Sequence, residues 1–196
     1  MTNKLKEYRI ILASQSLRRR ELIKGLDIPF EIAENYNFDE SYPADMPVDD
    51  VAGFLAEKKS DACPRLLNEH EFLLTADTIV KCRGELLGKP VDKQDAIEML
   101  KKLSGCKHEV ITGVCIKNNR RKTVFSVSSY VFFAELTPCD IEYYVENYRP
   151  LDKAGAYGIQ EWIGYTGIER IEGSYYNVMG LPVARLWKEL KCLIEQ

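Results

Sequence analysis

The stretch Glu71–Cys82, EFLLTADTIVKC, has a strong strand pattern that indicates the class of fold of this chain. Its apolar and β-branched residues predict a strand, and Arg83-Gly84 directly after it predicts a turn into a hairpin. One carboxyl group, Asp77, interrupts the apolar run. Alternation along the strand allows Asp77 to face solvent, but a buried Asp is rare without a partner. The stretch therefore predicts a sheet strand that carries a candidate functional group.

Further strands on both sides of this stretch define the class of fold. Tyr8–Ala13 is typical of a short buried strand. His108–Lys117 and Lys122–Leu136 are long β-rich runs joined by a polar turn, which predicts an antiparallel hairpin. Predicted helices alternate with these strands, so we expect an α/β fold with a mixed β-sheet and flanking helices. No composition break marks a linker, and residues 1–196 are expected to form a single domain.

Residues that cap helices mark the expected helix starts. Asp49 or Asp50 is placed to cap a helix over Val51–Ala62. Two short strands and a helix over about Leu181–Ile194 are expected to end the chain. The other predicted caps are Ser16, Asp92 and Thr137.

Composition excludes several classes of protein. The 196-residue chain has a formal net charge of −3, whereas a protein that coats nucleic acid usually has a basic excess. No apolar run approaches membrane-spanning length, and the first residues lack the apolar segment of a secretory signal. The six cysteines form no C-x-x-C pair, which does not favour a zinc site. We expect a cytoplasmic protein with reduced thiols, no membrane contact and no stable nucleic-acid binding.

Three consecutive arginines follow the predicted helix cap at Ser16. The first helical turn carries partial positive charge, so Arg18 and Arg19 oppose the helix dipole unless an anion lies above them. The hydroxyl of Ser14, the free backbone N–H groups and the guanidinium groups together suit a phosphate. The alternative is that the arginines are solvated or pair with nearby acids such as Glu21. The sequence leaves both interpretations open.

Other charged residues are candidates for the same chemistry. Asp77 at a strand position can hold Mg²⁺ or activate water, and Glu40 in a polar loop is a possible second carboxylate for a metal. Lys59, Lys89 and Lys153 are candidate phosphate partners. The alternative is that these acids and lysines are merely solvated surface charges.

A glycine-containing loop, Asp152–Gln160, offers a candidate group for base recognition. Its glycines allow a tight turn and a close approach of the backbone to a ligand. The amide of Gln160 has both a donor and an acceptor, so it can pair with the N3–H and a carbonyl of a pyrimidine ring. The alternative is a structural turn with an exposed Gln.

In order and spacing these segments closely resemble the Maf family of nucleoside triphosphate pyrophosphatases. The resemblance implies a mixed α/β fold with a two-lobed cleft, similar to the inosine triphosphate pyrophosphatase fold, and a homodimer. It implies Mg²⁺- or Mn²⁺-assisted hydrolysis of a nucleoside triphosphate to the monophosphate and pyrophosphate. The matching segments are LASQSLRRREL, LTADTIV, LGKP, MLKKLSG, HEVITGV, LDKAGAYGIQ and GSYYNVMGLP.

The resemblance also implies a substrate. Arg18, Thr78 and Gln160 match the branch of the family that acts on dTTP and UTP. The sibling branch that acts on 7-methyl-GTP has an aromatic residue in place of Arg18 and a KPGS-like loop. Physiologically, either cleansing of non-standard pyrimidine nucleotides or limitation of dTTP and UTP is compatible with this reaction.

Roles for the candidate residues follow from the same resemblance. Asp77 is the expected general base and, with Glu40, holds the metal and the attacking water. Phosphate binding and charge neutralisation are expected from Ser14, Arg18, Arg19, Lys59 and Lys89, with Lys153 as a further candidate.

Two departures from the family pattern leave alternatives open. Leu17 stands where the family usually has Pro, and Glu161 stands where it usually has Gly. The extra acid after Gln160 could alter the base preference toward purine or modified-base triphosphates. A non-enzymatic regulator of cell division that binds nucleotide or nucleic acid is the remaining alternative.

Overall fold

A computed structural model describes residues 2–195 and contains seven strands in one sheet. The strands are β1 (Arg9–Leu12), β2 (Phe30–Ile32), β3 (Glu71–Cys82), β4 (Glu85–Leu87), β5 (Lys107–Lys117), β6 (Lys122–Phe133) and β7 (Ile168–Glu172). The helices are α1 (Thr2–Leu5), α2 (Leu17–Lys24), α3 (Val48–Ala62), α4 (Lys93–Leu103), α5 (Pro138–Tyr148), α6 (Trp162–Thr166), α7 (Tyr175–Met179) and α8 (Val183–Glu195). A single 3₁₀ turn covers Ala154–Ala156.

The sheet is mixed, as the sequence predicts. Its strand order is β2-β1-β3-β5-β6-β7, and β4 pairs with β3 outside this path. β1 runs parallel to β2 and to β3, with Ile10 opposite Phe30 on one side and Phe72 on the other. The pairs β3–β4 and β6–β7 are antiparallel. The predicted fold class, a mixed α/β fold with flanking helices, is therefore confirmed.

The chain divides into two compact units. The first comprises the residues up to Asp77, Thr112–Val127 and the residues from Gly180 onward. The second comprises Thr78–Ile111 and Ser128–Met179. That residues 1–196 act as a single domain, and that a cleft separates two lobes, stay predictions.

In the first unit, helix α3 packs directly against the sheet. A Cβ atom built on Gly113 in β5 would lie 2.2 Å from the carbonyl carbon and oxygen of Ala52 in α3. This contact requires glycine because any larger residue would overlap helix backbone, which cannot rotate away. The prediction that Asp49 or Asp50 caps α3 is wrong. The helix begins at Val48, so Asp49 and Asp50 lie in its first turn, where the helix dipole favours acidic residues.

In the second unit, two of the predicted caps are formed. Asp92 accepts a hydrogen bond from the backbone N–H of Asp95 at 2.8 Å, which starts α4. Thr137 and Asp140 form a reciprocal capping box at the start of α5. The expected pair of short strands near the chain end is wrong: this region forms one strand, β7, between the short helices α6 and α7.

A buried histidine lies in the core of the second unit. His108 is 2 % exposed, and its Nε2 lies 2.8 Å from the hydroxyl oxygen of Tyr157. The rings of Phe133 and Tyr157 both meet the imidazole edge to face. Burial lowers the pKa of His108 from 6.5 to about 4, so the folded chain holds this imidazole neutral.

We expect Gly113→Ala to destabilise the chain by about 3 kcal/mol or more, because its methyl group would overlap the backbone of α3. A loss of that size lowers the melting temperature by roughly 10 °C. Thermal unfolding followed by circular dichroism measures the change. The matched control is Gly88→Ala, because the added Cβ meets no described atom within 4 Å. Equal melting temperatures for the two variants would contradict the close contact.

The buried imidazole predicts a pH dependence of stability. In the unfolded chain His108 becomes protonated below pH 6.5. In the folded chain it becomes protonated only below about pH 4. The free energy of unfolding should therefore decrease as the pH is lowered through this window, by about 1.4 kcal/mol per pH unit from this group. Urea unfolding at pH 7, 6 and 5 should give a steeper decline for the wild type than for His108→Gln. Parallel declines would refute the assignment.

Candidate functional site

The arginine run lies where the sequence places it, in the first turn of α2. The Ser16 hydroxyl caps the helix by accepting a hydrogen bond from the backbone N–H of Arg19 at 3.4 Å. The hydroxyl oxygen of Ser14 accepts from the backbone N–H of Ser16 at 3.2 Å. Arg18 is half-buried, whereas Arg20 turns to the side-chain oxygen of Gln15 at 3.4 Å. The predicted cap at Ser16 is therefore confirmed.

Arg19 is held by two backbone carbonyls. Its Nη1 donates to the carbonyl of Ala76 at 2.8 Å, and its Nε donates to the carbonyl of Gly180 at 2.8 Å. Burial lowers the pKa of Arg19, the charge of Asp77 opposes that effect, and the neighbouring charge of Arg18 adds to it. The guanidinium is therefore fixed in position beside the residue that precedes Asp77 in β3.

Asp77 forms an ion pair with Lys59 of α3. The Nζ of Lys59 lies 3.4 Å from Oδ1 of Asp77 and 3.5 Å from the carbonyl oxygen of Ala76. Both side chains are mostly covered, with exposed fractions of 12 % for Lys59 and 20 % for Asp77. Burial lowers the pKa of Lys59, and the carboxylates of Asp77 and Glu40 partly oppose that effect. Asp77 thus lies partly buried beside cations, and the fully solvated alternative does not hold.

The structure brings three predicted residues together: Arg19, Lys59 and Asp77. Glu40 is exposed in the loop before α3 and acts on the charge of Lys59. The sequence analysis missed Phe38, whose ring lies 4.6 Å from the Lys59 ammonium. The available signal was a phenylalanine in a loop of mainly polar residues that also contains Tyr36 and Tyr42. We name Arg19, Lys59 and Asp77 the charged cluster.

The remaining predicted residues belong to the second unit. Thr78 is half-buried in β3. Lys89 is exposed directly after Gly88, whose carbonyl accepts a hydrogen bond from the backbone N–H of Gly155 at 3.0 Å. The Gly-Lys-Pro segment is therefore tied to the predicted glycine-containing loop.

Lys153 is buried rather than presented to solvent. Only 7 % of the residue is exposed. Its Nζ lies 2.7 Å from Oδ1 of Asp152 and 3.2 Å from Oε1 of Glu161. The prediction that Lys153 contacts phosphate stays untested, but its ammonium already has two carboxylate partners. Sequence reasoning recorded Glu161 only as a departure from the family pattern and did not foresee this ion pair.

Gln160 has a buried acceptor. Its Oε1 is shielded from solvent and has no hydrogen-bond partner among residues 2–195. A buried acceptor without a partner has a free-energy cost that a donor from a ligand would relieve. Pairing of the Gln160 amide with a pyrimidine stays a prediction.

The carboxylates of Asp77 in the charged cluster and of Glu40 in the loop before α3 are ligands of the kind that a hard divalent cation takes. Asp77 and Glu40 both act on the charge of Lys59. Mg²⁺ takes oxygen ligands and is commonly held by one or two carboxylates together with substrate phosphates. Within the described part of the chain, no group of three or more His, Cys, Asp or Glu side chains could hold a metal ion. Asp77 and Glu40 therefore offer suitable donor atoms, and their joint binding of a metal ion stays a prediction.

Among the helices that the structure describes, none is long and apolar enough to cross a bilayer.

Known proteins resemble this chain over nearly its full length. A dTTP/UTP pyrophosphatase of Porphyromonas gingivalis is 51 % identical over 193 residues, covering 97 % of each chain. One of Bacteroides fragilis is 48 % identical, covering 98 % of this chain and 100 % of the relative. A HAM1 protein of Coxiella burnetii is a distant structural neighbour, with a TM-score of 0.40 and 14 % identity over 66 % of this chain and 74 % of its own.

The family assignment rests on the whole length of the chain. The family model described as "Maf-like protein" matches residues 9–193. That range includes the charged cluster, Gln160 and every matching segment named above. The chain therefore belongs to the Maf family, as its sequence predicts.

Proposed function

We propose that this chain hydrolyses nucleoside triphosphates, dTTP and UTP in preference, to the monophosphate and pyrophosphate. The observation that carries the proposal is the ion pair of Asp77 with the buried Lys59, beside the fixed Arg19. Relatives that share about half of its residues are named dTTP/UTP pyrophosphatases, which supports the same substrates here.

In the proposed reaction, water adds across the anhydride that joins the nucleoside monophosphate to pyrophosphate. The Asp77 carboxylate takes a proton from the attacking water, and the bond to the leaving pyrophosphate oxygen breaks. Lys59 lies 3.4 Å from this carboxylate, where its charge offsets the negative charge of the substrate. The other residues proposed to bind phosphate are Ser14, Arg18, Arg19 and Lys89.

A divalent cation is part of the proposal. Asp77 and Glu40 are the residues that would hold Mg²⁺ or Mn²⁺. When bound, the ion supplies charge neutralisation and Lewis-acid polarisation at the phosphates.

Base preference is assigned to three residues. Gln160 would accept from the pyrimidine N3–H through its buried Oε1 and donate to a neighbouring carbonyl through Nε2. Arg18 and Thr78 are the other two, on the strength of the family resemblance. Cytosine lacks the N3–H donor, so dCTP is expected to be a poor substrate.

The setting in which this chain works is also a proposal. We infer a cytoplasmic enzyme, because all six cysteines are free thiols. A homodimer is proposed on the family resemblance alone. The net charge of −3 supports the proposal that nucleic acid is not a stable partner.

The first test is pyrophosphate release with Mg²⁺ or Mn²⁺ from dTTP, UTP, CTP, dCTP, ATP, GTP, ITP and 7-methyl-GTP. We expect rapid release from dTTP and UTP, reduced by about 100-fold or more in Asp77→Asn, because the amide cannot accept the proton from water. The control is Asp27→Asn, an exposed residue at φ +52°, which Asn tolerates. Wild-type activity in Asp77→Asn would refute the assigned base, and no release from any nucleotide would overturn the function.

We expect Gln160→Glu to weaken recognition of dTTP and UTP. The carboxylate cannot donate to the pyrimidine carbonyl, and it repels that oxygen. The loss of buried hydrogen bonds is worth about 1 to 3 kcal/mol, so kcat/KM for dTTP should fall by roughly tenfold or more. Gln94→Glu on the exposed face of α4 is the control. An unchanged ratio of dTTP to dCTP turnover would exclude this role for Gln160.

A further inference from the structure

A buried polar network lies next to Gln160 and has no part in the proposed chemistry. The Glu161 carboxylate accepts a hydrogen bond from the hydroxyl group of Tyr144 and lies 3.2 Å from the Nζ of Lys153. The Tyr144 hydroxyl oxygen also accepts from the backbone N–H of Gly158 at 3.0 Å. The Glu161 carboxylate therefore connects Tyr144 of α5 to Lys153, near the start of the loop that precedes Gln160.

Glu161 is the buried counter-ion of Lys153. The Lys153 side chain is 9 % exposed, and a charge at such a site is costly unless it is paired. Its other partner, Asp152, is 64 % exposed, and exposed ion pairs contribute little. Glu161 is only 19 % exposed, so its charge is screened less by solvent. The position of Lys153 therefore depends mainly on Glu161.

The carboxylate of Glu161 also constrains the loop by contact. A Cβ atom built on Gly158 would lie 2.8 Å from Cδ of Glu161 and 3.1 Å from Nε2 of Gln160. The two side chains therefore share the space that the missing side chain of Gly158 leaves. Glu161 occupies the cap position of α6, but its side chain makes no capping hydrogen bond there. The Glu161 side chain therefore contacts Tyr144 and Lys153 and does not cap α6.

We propose that Glu161 is a positioning residue for base recognition. By holding Lys153 and Tyr144, it fixes the loop so that the Gln160 amide is oriented toward the pyrimidine before the nucleotide binds. The same pairing assigns Lys153 to the support of Gln160 rather than to phosphate contact. This inference rests on the proposed hydrolysis of dTTP and UTP, and it predicts an effect on the base end of the substrate alone.

The test is Glu161→Gln, which keeps an acceptor for Tyr144 but removes the charge that holds Lys153. We expect KM for dTTP and UTP to rise by about tenfold, since one buried charge-assisted interaction is lost. We expect kcat to stay within about twofold, because the charged cluster is untouched. Inhibition by inorganic pyrophosphate should not change. Glu142→Gln, on the exposed side of the same helix as Tyr144, is the matched control.

A second variant keeps the test valid if the first fails to fold. Tyr144→Phe removes the hydrogen bonds to Glu161 and Gly158 but keeps the buried ring, and Tyr143→Phe is its exposed control. The KM increase should be similar, and the double variant should add little because both changes break one network. Melting temperatures identify any variant that is simply unfolded.

Three outcomes overturn the inference while leaving the hydrolysis intact. One is an unchanged KM for dTTP in both folded variants. Another is weaker inhibition by pyrophosphate, which would place Lys153 and Glu161 at the phosphates. The third is a tenfold fall in kcat with KM constant. Failure of the proposed function is distinct, because the wild type itself would then release no pyrophosphate from dTTP or UTP.

Discussion

The ion pair between Lys59 and Asp77 is the interaction on which the rest of the site depends. It joins α3 to β3 across side chains that are mostly covered from solvent. The Ala76 carbonyl accepts from Arg19 at 2.8 Å and lies 3.5 Å from the ammonium of Lys59. One short piece of β3 therefore anchors two cations. Removing Asp77 would leave two largely covered cations without a carboxylate in the cluster, which is far more costly than the pair is stabilising.

The charged cluster contains two cations for one carboxylate. Burial lowers the pKa of both Lys59 and Arg19, which expresses the cost of keeping positive charge away from water. Glu40 compensates part of that charge from an exposed position, and a bound anion would compensate the remainder. The surplus of positive charge in the cluster therefore suits a phosphorylated ligand. This is the physical sense in which the arginines that oppose the dipole of α2 become favourable.

Local physics explains which parts of the fold could be predicted from the sequence. The caps at Ser16, Asp92 and Thr137 and the limits of β3 each depend on residues a few positions apart, and all are present. The failures are of two kinds. The start of α3 was misplaced because two adjacent acids suit either a cap or a first turn. The end of the chain was misassigned because short apolar segments do not distinguish a strand from a helical turn.

The candidate site shows the same division. Arg19, Lys59 and Asp77 were selected by residue type and family resemblance, and the structure brings them together. The backbone carbonyls that hold Arg19 cannot be predicted from a local sequence pattern. The carbonyl of Gly180 lies 161 residues from Arg19 in the chain. The hydroxyl group of Tyr144 in α5 donates to the carboxylate of Glu161, 17 residues further along the chain. Long-range pairing of this kind depends on the assembled fold, which residue spacing does not encode.

The charged cluster and the ion pairs of Lys153 have opposite balances of charge. In the charged cluster, cations outnumber the carboxylate, so the surplus favours an anion. Around Lys153, two carboxylates meet one ammonium, so no positive charge remains to attract phosphate. The unsatisfied atom beside these charges is a neutral acceptor, the Oε1 of Gln160. A surplus of positive charge attracts any nucleoside triphosphate, whereas a single neutral acceptor discriminates between bases that carry an N3–H and bases that do not. Charge attraction is thus assigned to the charged cluster and recognition of the N3–H to Gln160, and a change that neutralises the charged cluster leaves the Gln160 amide in place.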